Sequence, residues 1–148
     1  MSEWEMLVRV GIAAVLGGLI GFDREARHKP AGVRTHMLVA AGSALAVAAS
    51  TLVLDDLRGV SGAGGDAVRV AAAVIAGMGF LGAGAIIRGS EGVRGLTTAA
   101  GIWVTAAVGI AAGYGLYILS IGSTVITLVI VALLLHVPSP GGEGSSGS

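Results

Sequence analysis

The sequence predicts an all-α membrane protein of five transmembrane helices, and three observations predict it. Of its 148 residues 54% are apolar and only 12% are Asp, Glu, Lys or Arg, against about a quarter charged in soluble domains. The apolar residues fall in runs long enough to cross about 30 Å of hydrocarbon. Its 26 glycines supply smooth helix faces of the kind that let helices approach closely in lipid. Net charge is zero, so the overall balance predicts no nucleic-acid partner. Without cysteine the chain has no disulfide frame, thiolate chemistry or Cys-ligated zinc, and its redox compartment stays undecided.

The first span is placed at 4–22, "WEMLVRVGIAAVLGGLIGF". Glu3 and Glu5 stand where a signal peptide has a basic region, and no small-residue cleavage pattern follows, so the span is expected to be retained. Arg9 lies near enough to its end to snorkel towards the interface. The second and third spans, 37–54 and 70–87, carry no charge. From Gly95 to Leu135, 41 residues contain no Asp, Glu, Lys or Arg. As one helix that run would reach about 60 Å, twice the membrane. It is expected to fold back at "AGYGLY" (112–117), giving spans at 95–113 and 116–136 closed by His136. The Gly/Ser-rich tail, 137–148, reads as a flexible linker or a cloning remnant.

Five spans place the termini on opposite sides. Arg24, Arg27, Lys29 and Arg34 lie between the first two spans, and Arg88 and Arg94 between the third and fourth. Only Arg58 and Arg69 lie between the second and third, beside Asp55, Asp56 and Asp66. Six basic residues against two favour an outside N-terminus and a cytoplasmic C-terminus.

Helix packing is expected at Gly17 and Gly21 in the first span, Gly109 and Gly113 in the fourth, and Gly77, Gly79, Gly82 and Gly84 in the third. The alternative for the third is a backbone opened around a substrate path, though no proline breaks it. Trp103, two turns into the fourth span, is expected between helices. A homodimer or larger assembly should place one glycine-rich face at the subunit contact, Gly17 and Gly21 if the first span supplies it. "AGVRTHMLVAAGSALAVAA" (31–49) and "EGVRGLTTAAGIWVTAAV" (91–108) echo one another. Spans one–two and three–four are thus a candidate parallel repeat followed by a fifth helix, although small-residue bias also produces such echoes.

The stretch "GFDREARHKPAGVRTH" (21–36) packs eight ionisable side chains into sixteen positions. Asp23, Arg24 and Glu25 follow the first span, and Arg34, Thr35 and His36 lead into the second. Three readings stand: a solvated topogenic loop, a ligand or partner site, or a lock. The lock would join the Asp23 and Glu25 carboxylates to Arg24 and Arg34 across a "KPAG" turn. Magnesium needs oxygen ligands, but the arginines beside Asp23 and Glu25 argue against a cation there; Asp55, Asp56 and Asp66 are weak outer-side candidates. Thr97 and Thr98, near Arg88 and Arg94, make either an anion or lipid-headgroup site or a helix N-cap. With no nucleophile–base pair, metal-ligand helix motif or phosphate loop, neither an enzyme nor a cofactor is expected.

"GGLIGFDREARHKPAGVRTHMLVAAGSAL", "GFLGAGAIIRG" and "VRGLTTAAGIWVTAAVGIAAGYG" resemble, in order, the MgtC/SapB family of bacterial inner-membrane proteins, over nearly all of residues 5–135. Asp23 stands where most relatives are expected to have Glu. The soluble C-terminal domain that some members carry lies beyond this sequence, so no role of that domain transfers. The resemblance implies five spans in the inner membrane, a link to growth in low magnesium and, in pathogens, virulence through survival inside macrophages. For some members it implies modulation of another membrane complex, the proton-driven ATP synthase. It implies no settled biochemical activity. The expected function is a non-enzymatic, self-associating modulator of magnesium and ion homeostasis, in contact with membrane lipids. The alternative is a transporter of small ions or solutes. A carboxylate or His at mid-depth would favour transport, and spans two to five have none.

Overall fold

In the computed structural model, residues 2–56, 63–89 and 92–133 are described, and they form five helices and one short ribbon. Helix α1, Glu3–Ala26, opens on a reciprocal cap: the Ser2 hydroxyl accepts from the Glu5 N–H, and the Glu5 carboxylate accepts from the Ser2 N–H. Helix α2 is Val33–Asp56. Much of the charged stretch therefore extends two helices rather than forming a loop. The turn between them is compressed to 27–32, with His28 and Ala31 at positive φ (54° and 59°). Helix α3 is Ala63–Ala85. The tail and His136 lie outside the described residues.

An antiparallel ribbon follows α3, which a purely helical expectation does not contain. Its strands, β1 (Ile87–Gly89) and β2 (Gly92–Arg94), pair Ile87 with Arg94 and Arg88 with Val93. β-branched Ile87 and Val93, with a glycine on each side of the turn, are the sequence signal for it. Helix α4, Leu96–Gly113, ends where the long uncharged run folds back. Gly115 takes φ 79°, and two amides bond back into the last turn, Gly115 N to Ala112 O and Leu116 N to Ala111 O, both 2.9 Å. Only glycine enters this left-handed cap without strain. Helix α5 is Tyr117–Leu133.

Helices α1, α2, α3 and α4 are long and apolar enough to cross a membrane; α5, at 17 residues, is a shorter apolar helix. α4 is central, with 56% of its apolar window buried, whereas none of that of α3 is. The seam of α1, α2 and α4 is built from absent side chains. A Cβ on Gly17 would collide with the His36 carbonyl and lie 2.7 Å from the Ala40 Cβ; one on Gly21 would lie 2.7 Å from the Val33 Cα. Gly109 meets the Ala40 backbone and Gly113 the Ala44 backbone, so α2 and α4 run parallel while α1 runs against them. Ala13, Ala40, Ala44 and Ala112 fill the centre. The Ser120 hydroxyl ties α5 to α4 by donating to the Val108 carbonyl, 2.9 Å.

Two packing expectations are corrected. Of the four α3 glycines expected to pack, Gly82 approaches a neighbour within the chain, Ala99, while Gly77, Gly79 and Gly84 would meet nothing within 4 Å. Trp103 is 48% exposed, because Ile102, Ala106, Gly109 and Gly113 take the inner face of α4 at helical spacing and turn it outward. Gly17 and Gly21 are used inside the chain, which removes them as the subunit contact.

Candidate functional site

The charged end of the molecule is built where the α1–α2 turn, the end of α3 and the start of α4 meet. Gly95, at φ 91°, lets α4 begin against the Ala85 carbonyl, where any Cβ would collide. The last turn of α1 then lies beside the first turn of α4. Arg24 is only 4% exposed and its Nη2 donates to the Thr98 hydroxyl at 2.7 Å. Thr98 is equally buried, at 3%.

The expected carboxylate–arginine lock takes a different form. Asp23 is gripped by Arg27, whose Nε and Nη2 both lie within 3.0 Å of its carboxylate. That bond raises the Arg27 guanidinium further above its ordinary pKa. Arg24 cannot compete, because consecutive helix positions point about 100° apart whereas i and i+4 share a face. The i,i+4 spacing is the readable signal for Arg27, whose charge therefore pairs with Asp23 of α1 as well as adding to the basic loop. Glu25 does cross the hairpin, but to backbone: its carboxylate accepts from the Val33 N–H at 2.9 Å. A side chain on Gly32 would fill the space that Glu25 occupies. Arg34 is exposed and joins no ion pair among the described residues.

These contacts give a graded expectation. Glu25→Gln removes a charged acceptor at the start of α2 and should cost about 0.5–1 kcal/mol in thermal unfolding. Arg34→Lys should cost nothing measurable, and the double variant should be additive. A melting loss for Arg34→Lys as large as that for Glu25→Gln would contradict the observed partners.

His36 is fully buried. Its Nδ1 lies 3.0 Å from the Gly32 carbonyl, which can only accept, so Nδ1 carries the proton. Nε2 looks towards Gly101 of α4 and has no partner. Thr35, on the next position, is exposed and lines a groove of about 470 Å³ with Pro30, Ala31, Phe80, Gly84 and Thr98. Thr97 is exposed and Thr98 buried. Neither caps α4, since the N-cap is Gly95 and no side chain bonds there; the threonines sit two and three residues too late. Arg88 and Arg94 are exposed on the ribbon.

Among the described residues no group of three or more His, Asp or Glu converges on a metal position. Asp23 and Glu25 are each engaged as above, and the side chains of Asp55, Asp56 and Asp66 lie outside the described residues. At the opposite end Arg9 does not simply reach for the interface. Its Nη1 donates to the Gly113 carbonyl at 3.0 Å, placing a cation on the negative end of α4.

A model of the MgtC family matches residues 10–139. The chain is 44% identical over 127 residues to the Escherichia coli K12 protein named "Putative magnesium transporter YhiD", covering 86% of this chain and 59% of that protein. It is 47% identical over 122 residues to Protein MgtC of Brucella abortus, covering 82% and 48%. It is 40% identical over 134 residues to Protein MgtC of Salmonella typhimurium, covering 90% and 54%. The chain thus spans about half the length of the curated relatives it matches. No solved structure matches it.

Proposed function

This multi-pass membrane protein belongs to the MgtC family, and from that premise we propose that it is a non-enzymatic, self-associating modulator of magnesium and ion homeostasis in the bacterial inner membrane. It acts through helix contacts in the bilayer, with lipids, with a second copy and with another membrane complex. The observation that carries the reading is the open side of α3. Gly77 and Gly84, seven positions apart and so on one face, meet nothing within 4 Å, and Phe80 between them is 83% exposed. In lipid such a face gains most by packing against another helix. Gly84→Cys should therefore form cross-linked dimers in native membranes. A monomer in both mild detergent and lipid, with no cross-link, would remove the self-association.

In this reading α5 is a fifth crossing. Seventeen residues span about 26 Å, which a slight local thinning of the bilayer accommodates. The N-terminus is outside and the C-terminus cytoplasmic. The groove joining Pro30 and Ala31 to Ala85 and Thr98 supports one shared side for the two basic loops, as the charge count requires. Ala26→Cys should be labelled only from the cytoplasm and Leu116→Cys only from outside; the reverse pattern defeats this orientation. The parallel course of α2 and α4 also supports the hairpin repeat. The echoing triplets nevertheless differ, since Gly32–Arg34 leads into a helix and Gly92–Arg94 is a strand.

The second reading is transport, favoured by the name of the Escherichia coli relative and by the buried Arg24 and His36. Proteoliposomes assayed for Mg²⁺ and for proton flux decide between the two. Protein-dependent flux of either ion would put transport first.

A further inference from the structure

Arg24 poses an electrostatic problem that the chain leaves open. A guanidinium keeps its proton in proteins, so this 4% exposed residue carries a full positive charge. Both neighbouring carboxylates bond elsewhere, Asp23 to Arg27 and Glu25 to the start of α2, so the charge of Asp23 reaches Arg24 only through space and is shared with Arg27. The hydrogen-bond partner of Arg24 is the neutral hydroxyl of Thr98, and its Nε is buried with no partner at all. Buried cations without a counter-charge are costly.

The position compounds the problem. Thr98 lies in the first turn of α4, where free N–H groups and the positive end of the helix dipole collect. Gly95 has no side chain to accept from those groups. A cation set against a positive helix end is repelled unless an anion lies between them. Two independent features, a buried guanidinium and an uncapped helix start, thus call for the same missing charge.

We propose that Arg24, Thr98 and the open first turn of α4 bind an oxyanion of the phosphate class, either the phosphodiester of a net-anionic lipid headgroup, not neutralised by a choline cation, or free inorganic phosphate. A metal cation would be repelled by both features, and a neutral solute would leave Arg24 uncompensated. Thr98 accepts from Arg24 and keeps its own hydroxyl proton to donate to the ligand. The groove that Thr98 lines gives the approach: Thr35 offers a second hydroxyl, while Pro30, Ala31 and Leu81 give it an apolar wall. The site is a binding function beyond the modulator reading and does not depend on self-association.

The test uses the full chain, delipidated in mild detergent, with two probes. Inorganic phosphate is titrated against sodium chloride at equal ionic strength, and nanodiscs of phosphatidylcholine are compared with and without phosphatidylglycerol. At least one probe should raise the wild-type melting temperature by several degrees. Arg24→Gln should abolish that shift, and Thr98→Val should weaken apparent affinity about tenfold, the loss expected for one charge-assisted hydrogen bond. A shift with phosphatidylglycerol alone identifies a lipid headgroup, and a shift with phosphate identifies the free anion. If Arg24→Gln does not fold, Thr98→Val carries the test. No shift with either probe on the wild type overturns the proposal, as does a shift matched by sodium chloride or unchanged in the variants.

Discussion

Gly109→Leu is expected to leave no folded protein after mild-detergent extraction. A Cβ at this position would overlap the Ala40 carbonyl and lie 2.9 Å from the Ala40 Cα. The obstacle is backbone, which cannot rotate aside as a side chain can, so α2 and α4 must separate. Separation also opens the cluster of Ala13, Ala40, Ala44 and Ala112, whose small side chains have no reach to follow. Overpacking a soluble core typically costs about 1–3 kcal/mol. Here the loss should be at the upper end or beyond, because helices in lipid associate by close packing rather than by exclusion from water. Gly77→Leu is the matched control: it adds the same side chain to open space and should leave the melting temperature within about 2 °C. If α3 is the subunit contact, the same change should abolish dimer cross-linking at Gly84→Cys. Size-exclusion profiles and thermal melts of the two leucine variants separate these outcomes. A folded Gly109→Leu with a near-normal melt would show that the α2–α4 seam is looser than the backbone distances require.

The contrast between Gly109 and Gly77 shows what a sequence conveys about glycine and what it withholds. Hydropathy alone marks the helical runs, and the length of the uncharged run after Gly95 forces the turn at Gly115. A stripe of small residues announces a face that some helix can approach. It does not say whether that helix belongs to the same chain. Gly17, Gly21, Gly109 and Gly113 meet backbone of α2, while Gly77, Gly79 and Gly84 of α3 meet nothing within 4 Å. Which stripe is used internally follows from three-dimensional order, with α4 in the middle and α3 outside. The ribbon at 87–94 was hidden for a different reason: three-residue strands give too short an alternation to stand out beside helices of about twenty residues.

The charged stretch was legible in kind and not in partners. Its density marks a special hairpin, and the Asp23–Arg27 pair follows from i,i+4 spacing. Arg24 and Thr98 are 74 positions apart in sequence, and no local rule joins them. The same holds for Arg9 and Gly113. Such contacts arise only once the antiparallel course of α1 and α4 brings the end of one beside the start of the other.

The assignment of Arg24 as a binding residue rather than a strut carries the last prediction, Arg24→Met. Methionine nearly matches arginine in reach and fills irregular space without a charge. A strut would be missed, because removing a residue that holds its neighbours leaves their polar groups stranded. Thr98 is not stranded in this way, since a helical threonine can turn its hydroxyl to a carbonyl one turn back. The replacement also removes a buried charge with an unpartnered Nε, and apolar substitutes for buried ions are often neutral or stabilising by about 1–4 kcal/mol. The melting temperature of purified Arg24→Met is therefore expected to equal or exceed that of the wild type. In cells the same variant should fail to support growth in low magnesium, falling to the level of an empty vector while its membrane abundance stays unchanged. Arg24→Lys separates charge from shape: it keeps the cation but loses the planar fork that reaches Thr98 and a ligand together, so growth should be only partly restored. A steep fall in melting temperature for Arg24→Met would make Arg24 a structural post. Full growth with Arg24→Met would leave its buried charge without a role in the cell.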